Sequence, residues 1–95
     1  MTARTVLAAS SCPRLASHVR FKFDEVRQKW VLLAPERVLM PDDIAVEILK
    51  RLDGVATVGA IAADLAAHYQ APEAEVAKDV AEMLQDLTDK GVLVA

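Results

Sequence analysis

Residues able to do chemistry are few in this chain, and their spacing argues against a catalytic or metal centre. His18 and His68 stand far apart, and the single cysteine, Cys12, lies near the N-terminus. One thiol and two imidazoles without motif spacing do not make a zinc site. Asp42 and Asp43 are adjacent carboxylates, but neighbours on a helix point about 100° apart. Acids at a helix start are in any case favoured there by the helix dipole. No glycine-rich phosphate loop and no Gly-x-Ser-x-Gly turn occurs. The chain is therefore expected to be neither an enzyme nor the holder of a metal or cofactor. What the residue types do offer is binding through the main chain. Arg37-Val38-Leu39-Met40 is a short apolar run pinned between Pro35 and Pro41. Proline cannot donate to a sheet ladder, so such a run reads as a short edge strand. Its unpaired N–H and C=O groups can accept a further strand.

The elements that must position this strand follow from hydrophobic period. Val19, Phe21 and Phe23 alternate with Arg20 and Lys22, the pattern of a half-buried strand. The polar stretch 24–28 has hairpin-loop length, and a second strand runs from about Lys29 to Ala34. With 38–40 as a third strand, the first half predicts a three-stranded antiparallel sheet. From Ile44 the period changes: Ile44, Ala45, Ile48, Leu49 and Leu52 share one face of a helix that Gly54 closes. Thr57 is placed to cap a second helix carrying Val58, Ile61, Ala62, Leu65 and Tyr69. After Pro72 a third helix presents Val76, Val80, Leu84 and Leu87, widened by Ala77 and Met83, and Gly91 stops it before the extended end 92–94. The fold class predicted is α+β and winged helix-turn-helix-like, with the three-stranded antiparallel sheet preceding the three helices.

Ninety-five residues make one small domain. With 54% hydrophobic and few aromatic residues, its core must be built from Leu, Val, Ile and Ala. Residues 1–12 are expected to form a disordered tail and 13–95 the single domain. The apolar stretch 6–9 is too short for a secretory signal and no run reaches a membrane-spanning length, so a cytoplasmic protein is expected. The lone cysteine suits a reducing compartment.

Charge is divided along the chain. Residues 1–40 carry seven basic and three acidic side chains, net +4, whereas 41–95 carry four and eleven, net −7. The third helix, where a winged helix would read DNA, has six carboxylates against Lys78 and Lys90. Phosphate contact needs the opposite sign, so a nucleic-acid-binding regulator is only the runner-up to a peptide-binding module. If the 37–40 strand runs beside the third helix, the gap between them is a groove. Its floor is the backbone of Val38 to Met40, and its wall carries Val76, Asp79, Val80 and Met83. Strand addition in such a groove takes affinity from main-chain hydrogen bonds and selectivity from side-chain pockets. Val38, Met40, Val80 and Met83 also have a plain reading as core, the stronger one for Val80.

Pro13-Arg14-Leu15, Val19-Arg20, Val31-Leu32-Leu33 and Pro35-Glu36 followed by Val38-Leu39 resemble the pyrroloquinoline quinone (PQQ) biosynthesis protein D family. So do Ala45 with Ile48-Leu49, Asp53-Gly54, Thr57-Val58 with Ile61, Leu65 with Tyr69, and Asp79-Val80 with Leu84. Met40-Pro41-Asp42-Asp43 departs from it, since relatives more often carry an Asn-containing turn there. The resemblance implies a peptide chaperone of cofactor biosynthesis, a recognition element for a ribosomal precursor peptide. It would bind a peptide containing the Glu and Tyr to be cross-linked and present it to a radical S-adenosylmethionine enzyme. Peptide contacts then fall on Arg37, Val38, Leu39, Met40, Val76, Asp79, Val80 and Met83. The basic hairpin residues Arg20, Lys22, Arg27 and Lys29 would face the enzyme, or simply solvent. No nucleic acid or membrane partner is implied. The expected state is a monomer or a weak, strand-swapped homodimer.

Overall fold

The computed structural model describes residues 6–95. Eight elements follow in chain order: β1 (Arg14–Leu15), β2 (Arg20–Asp24), β3 (Lys29–Ala34), β4 (Arg37–Leu39), α1 (Asp43–Leu49), α2 (Val58–Tyr69), α3 (Glu73–Asp89) and β5 (Leu93–Val94). The α+β class with a three-stranded antiparallel sheet ahead of three helices is found, although the winged-helix label fits it only loosely.

The β2–β3 hairpin closes through its own loop chemistry. The Asp24 carboxylate accepts from the backbone N–H of Val26 at 2.9 Å and of Arg27 at 3.2 Å. Gln28 takes the left-handed conformation, φ 55°, that turns the chain back. The register pairs Phe21 with Leu32 and Phe23 with Trp30. Paired residues share a face, so Phe21, Phe23, Trp30 and Leu32 lie together. Trp30 stacks on Phe21 at 4.7 Å and meets the edge of Phe23 at 5.7 Å. A two-residue connection, Pro35-Glu36, then returns the chain as β4, with Leu39 opposite Leu32 and Val38 opposite Leu33. The order is β2-β3-β4. Central β3 buries both Val31 and Leu32, while β4 remains an edge.

Two of the three helices start on a side-chain cap. Asp42 accepts from Ala45 N–H at 2.8 Å and Thr57 from Ala60 N–H at 3.0 Å. Between them, Asp53 holds the α1–α2 loop by accepting from Ala56 N–H at 2.7 Å and Val55 N–H at 2.8 Å. These backbone donors, Ala56 first, keep its carboxyl below the usual carboxylate range. Arg51 ties α1 to α2: its Nη1 donates to Glu47 O at 2.7 Å and its Nε to Asp64 Oδ2. The Arg51 hydrogen bond in turn holds the Glu47 carboxyl low. Ile48, Ile61, Leu65, Val80, Leu84 and Leu93 form the centre of the core.

Four features differ from the sequence reading. First, β1 and β5 pair antiparallel, Leu15 opposite Leu93, into a two-stranded ladder that joins the two ends of the chain. Second, α1 stops at Leu49, and Gly54, φ 79°, sits in the following loop rather than at the helix end. Third, α1 buries Ile48 and Leu49 as its spacing suggests, but Val46 takes the buried place expected of Ile44, which is exposed. Fourth, residues 7–12 of the expected tail lie against the helices, while 1–5 fall outside the described residues. Leu7 packs on the core and donates its N–H to Gln85 Oε1 at 2.9 Å. Ser11 O and Ala9 O accept from Val58 and Gly59 N–H at 2.9 and 3.0 Å, groups at the start of α2 with no intrahelical partner. A Cβ on Gly59 would stand 3.4 Å from Ala9 O, an ordinary contact, so the approach is close without requiring glycine.

Candidate functional site

A groove lies between α1 and α3, with the end of α2 beneath it and the edge strand β4 reached by its smaller part. On α3, helical spacing brings Val76, Asp79, Val80 and Met83 to one side, facing α1. Val80 is 2% exposed and forms the floor, whereas Val76 and Met83 are half-buried walls. Opposite them stand the cap residue Asp42, then Ile44, Ala45 and Ile48, with Tyr69 and Ala71 closing the end. This open cavity measures about 500 Å³, within the range of ligand sites. A smaller cavity of about 190 Å³ continues it toward β4, between Leu39-Met40-Pro41 and Met83, Leu87 and Lys90. Met83 and Ala45 line both, so the two are one groove divided by the Met83 side chain.

Not all the residues predicted from sequence come together. Val76, Asp79, Val80 and Met83 line the larger cavity, and Leu39, Met40 and again Met83 the smaller. Arg37 and Val38 line neither. They are exposed on β4, Val38 at 51%, farther along the same edge. In an antiparallel ladder alternate residues turn both main-chain groups toward the free side, so β4 offers some of its donors and acceptors outward. The basic residues also separate. Arg20 and Lys22 are exposed on the sheet face shared with Leu33 and Val38. Arg27 sits in the hairpin loop, 3.5 Å from Asp24, and Lys29 pairs across the ladder with Asp24.

Sequence reasoning missed the α1 side of the groove. Ile44, 58% exposed, and Ala45 stand opposite α3, and Glu75 and Tyr69 complete the rim. The only signal was an apolar residue at a helix position, and facing a groove or facing the core leaves the same spacing.

A depression of about 660 Å³ lies on the other side of Met40, between the hairpin and α1. Its walls mix Phe23 and Trp30 with Lys29, Asp43, Glu47 and Lys50, and Lys50 Nζ stands 5.2 Å from the Trp30 ring centroid. It is larger, but its lining carries more charged and polar side chains than the groove beside α3. His68 packs edge-on against Tyr69 at 4.8 Å, and the Cys12 thiol donates to Val55 O at 3.4 Å. Among the described residues no cluster of His, Cys, Asp or Glu could hold a metal ion, and no helix is long and apolar enough to cross a membrane.

The family described as "Coenzyme PQQ synthesis protein D (PqqD)" matches residues 29–93. A protein of Rhodopseudomonas palustris named PqqA binding protein is 55% identical over 94 residues, 98% of this chain and 92% of that protein. One of the same name from Xanthomonas campestris pv. campestris is 42% identical over 89 residues, 94% of this chain and 97% of that protein. Among solved structures, the solution structure of the PqqD truncation of Methylobacterium extorquens PqqCD superposes with a TM-score of 0.81 at 47% identity, covering 97% of this chain and 98% of that one. That truncation is described as a functional, stand-alone recognition element for ribosomally synthesized and post-translationally modified peptides. The crystal structure of PqqD from Xanthomonas campestris gives 0.61 at 41% identity, covering 95% and 100%. On its sequence, its length and its fold, this chain belongs to the PqqD family.

Proposed function

We propose that this chain binds the PQQ precursor peptide PqqA and acts as its carrier. The peptide adds to β4 as a further strand, lies in the groove against α3, and is presented to the radical S-adenosylmethionine enzyme that cross-links it. One observation carries the reading: a free sheet edge opens directly onto an apolar groove of peptide-side-chain size, at Leu39, Met40 and Met83. Relatives named PqqA binding protein supply the peptide's identity. The protein's part is recognition rather than chemistry, in the cytoplasm where the enzyme works. Main-chain hydrogen bonds to β4 hold the peptide, and the cavities on either side of Met83 take its apolar side chains.

Met83→Glu tests this. Met83 is half-buried, so a carboxylate there stays hydrated in the free protein and stability should change by about 1 kcal/mol or less. On binding it would be desolvated beside apolar peptide side chains, at a cost of about 1–3 kcal/mol, roughly a ten- to hundredfold loss of affinity. A thermal melt and a PqqA titration followed by amide chemical shifts read both. A folded variant that binds PqqA normally would place the peptide elsewhere.

A further inference from the structure

The larger cavity combines an apolar interior with a rim of one sign. Its lining contains Asp42, Glu75 and Asp79 and no lysine, arginine or histidine. Glu75 and Asp79 stand four residues apart on α3, so their carboxylates overhang the same side of the helix and repel each other. Both are exposed, and among the described residues neither forms an ion pair. The smaller cavity differs, because there Asp86 is matched by Lys90 at 2.8 Å. Unmatched negative charge is therefore concentrated where α3 faces α1, directly above the buried Ile48, Leu65 and Val80.

We infer that this half of the groove selects a peptide segment carrying Lys or Arg beside its apolar residues, the cation seated between Glu75 and Asp79. The inference rests on the groove being the peptide's site. A long basic side chain suits the place because its methylene stem can lie on apolar surface while its charged head stays at the wet rim. Spacing agrees as well. Four residues of α3 rise about 6 Å, close to the roughly 6.7 Å between same-side residues of an extended chain. One cation can thus reach both carboxylates, or two cations two residues apart can each meet one. An acidic segment in the same position would meet three like charges.

The test is a Glu75→Gln/Asp79→Asn double variant, with both changes at exposed positions and folding checked by an unchanged melt. Wild type and variant are titrated at low and high salt with synthetic PqqA and with a copy whose Lys and Arg are replaced by Gln. Removing two exposed ion pairs should weaken PqqA binding about fivefold at low salt and flatten its salt dependence. The Gln copy should bind wild type and variant equally weakly. An unchanged Kd and salt dependence in the variant overturns the inference, and a PqqA without Lys or Arg in its bound segment does the same. Met83→Glu separates the two levels. If it loses PqqA while the charge variant does not, only the charge selectivity falls. If neither loses binding, the groove falls with it.

Discussion

Single side chains divide the work sharply here. Val80 and Met83 share one face of α3, yet Val80 is 2% exposed and serves as core while Met83 is half-buried and separates the two cavities. Asp53 does neither and holds the loop that sets α2 against α1 through two backbone N–H groups. Those donors lower its folded pKa, so the stabilisation is complete above the unfolded carboxylate value, about 3.9. It is lost as pH falls through the lower folded value. Asp53→Asn keeps an acceptor oxygen but cannot titrate. Wild type should therefore melt higher than Asp53→Asn at neutral pH, with the difference shrinking as the pH drops below about 4. A constant difference between the two melts from neutral to acid pH would show that the loop bonds do not favour the ionised form.

Among the elements, the hairpin carries a prediction of its own. Arg20 and Lys22 project from the sheet face that Val38 shares, and Arg27 from the loop, whereas the groove opens on α1 and α3. Lys22→Glu with Arg27→Glu should weaken association with the radical S-adenosylmethionine enzyme and leave PqqA affinity unchanged. Equal enzyme binding by wild type and a folded variant would make this face merely solvated. Most elements were legible in the sequence because their signals are local. Phe21 and Phe23 alternate with basic residues, Pro35 and Pro41 bracket β4, Asp42 and Asp43 stand at the start of α1, and Thr57 caps α2 as expected. The β1–β5 ladder was not legible, since two-residue strands at opposite ends of the chain carry no period and pair only through the fold. The packing of residues 7–12 was hidden for a related reason: it depends on backbone N–H groups at the start of α2, far along the sequence. The groove was half legible. Its α3 wall follows from helical spacing, but Ile44 looks like core until Val46 is seen to take the buried position.

For the molecule as a whole, the division of charge seen along the chain becomes a division in space. The basic residues concentrate on the sheet and the acidic ones on the helices, and the groove runs where the two meet, between β4, α1 and α3. A peptide lying there would extend the sheet by one strand. The β1–β5 ladder is a separate sheet and β4 is an edge of the other, so a fourth strand can pair with β4 without disturbing the pairs already made. Amide hydrogen exchange along β4, with and without saturating PqqA, tests this most directly. In the free protein the edge-facing amides among Val38, Leu39 and Met40 have no strand beside them and should exchange fast. Bound peptide should slow at least one of the three by about tenfold or more, with residues 76–83 showing shifts in the same titration. Tight PqqA binding that leaves the exchange of all three β4 amides unchanged would contradict strand addition.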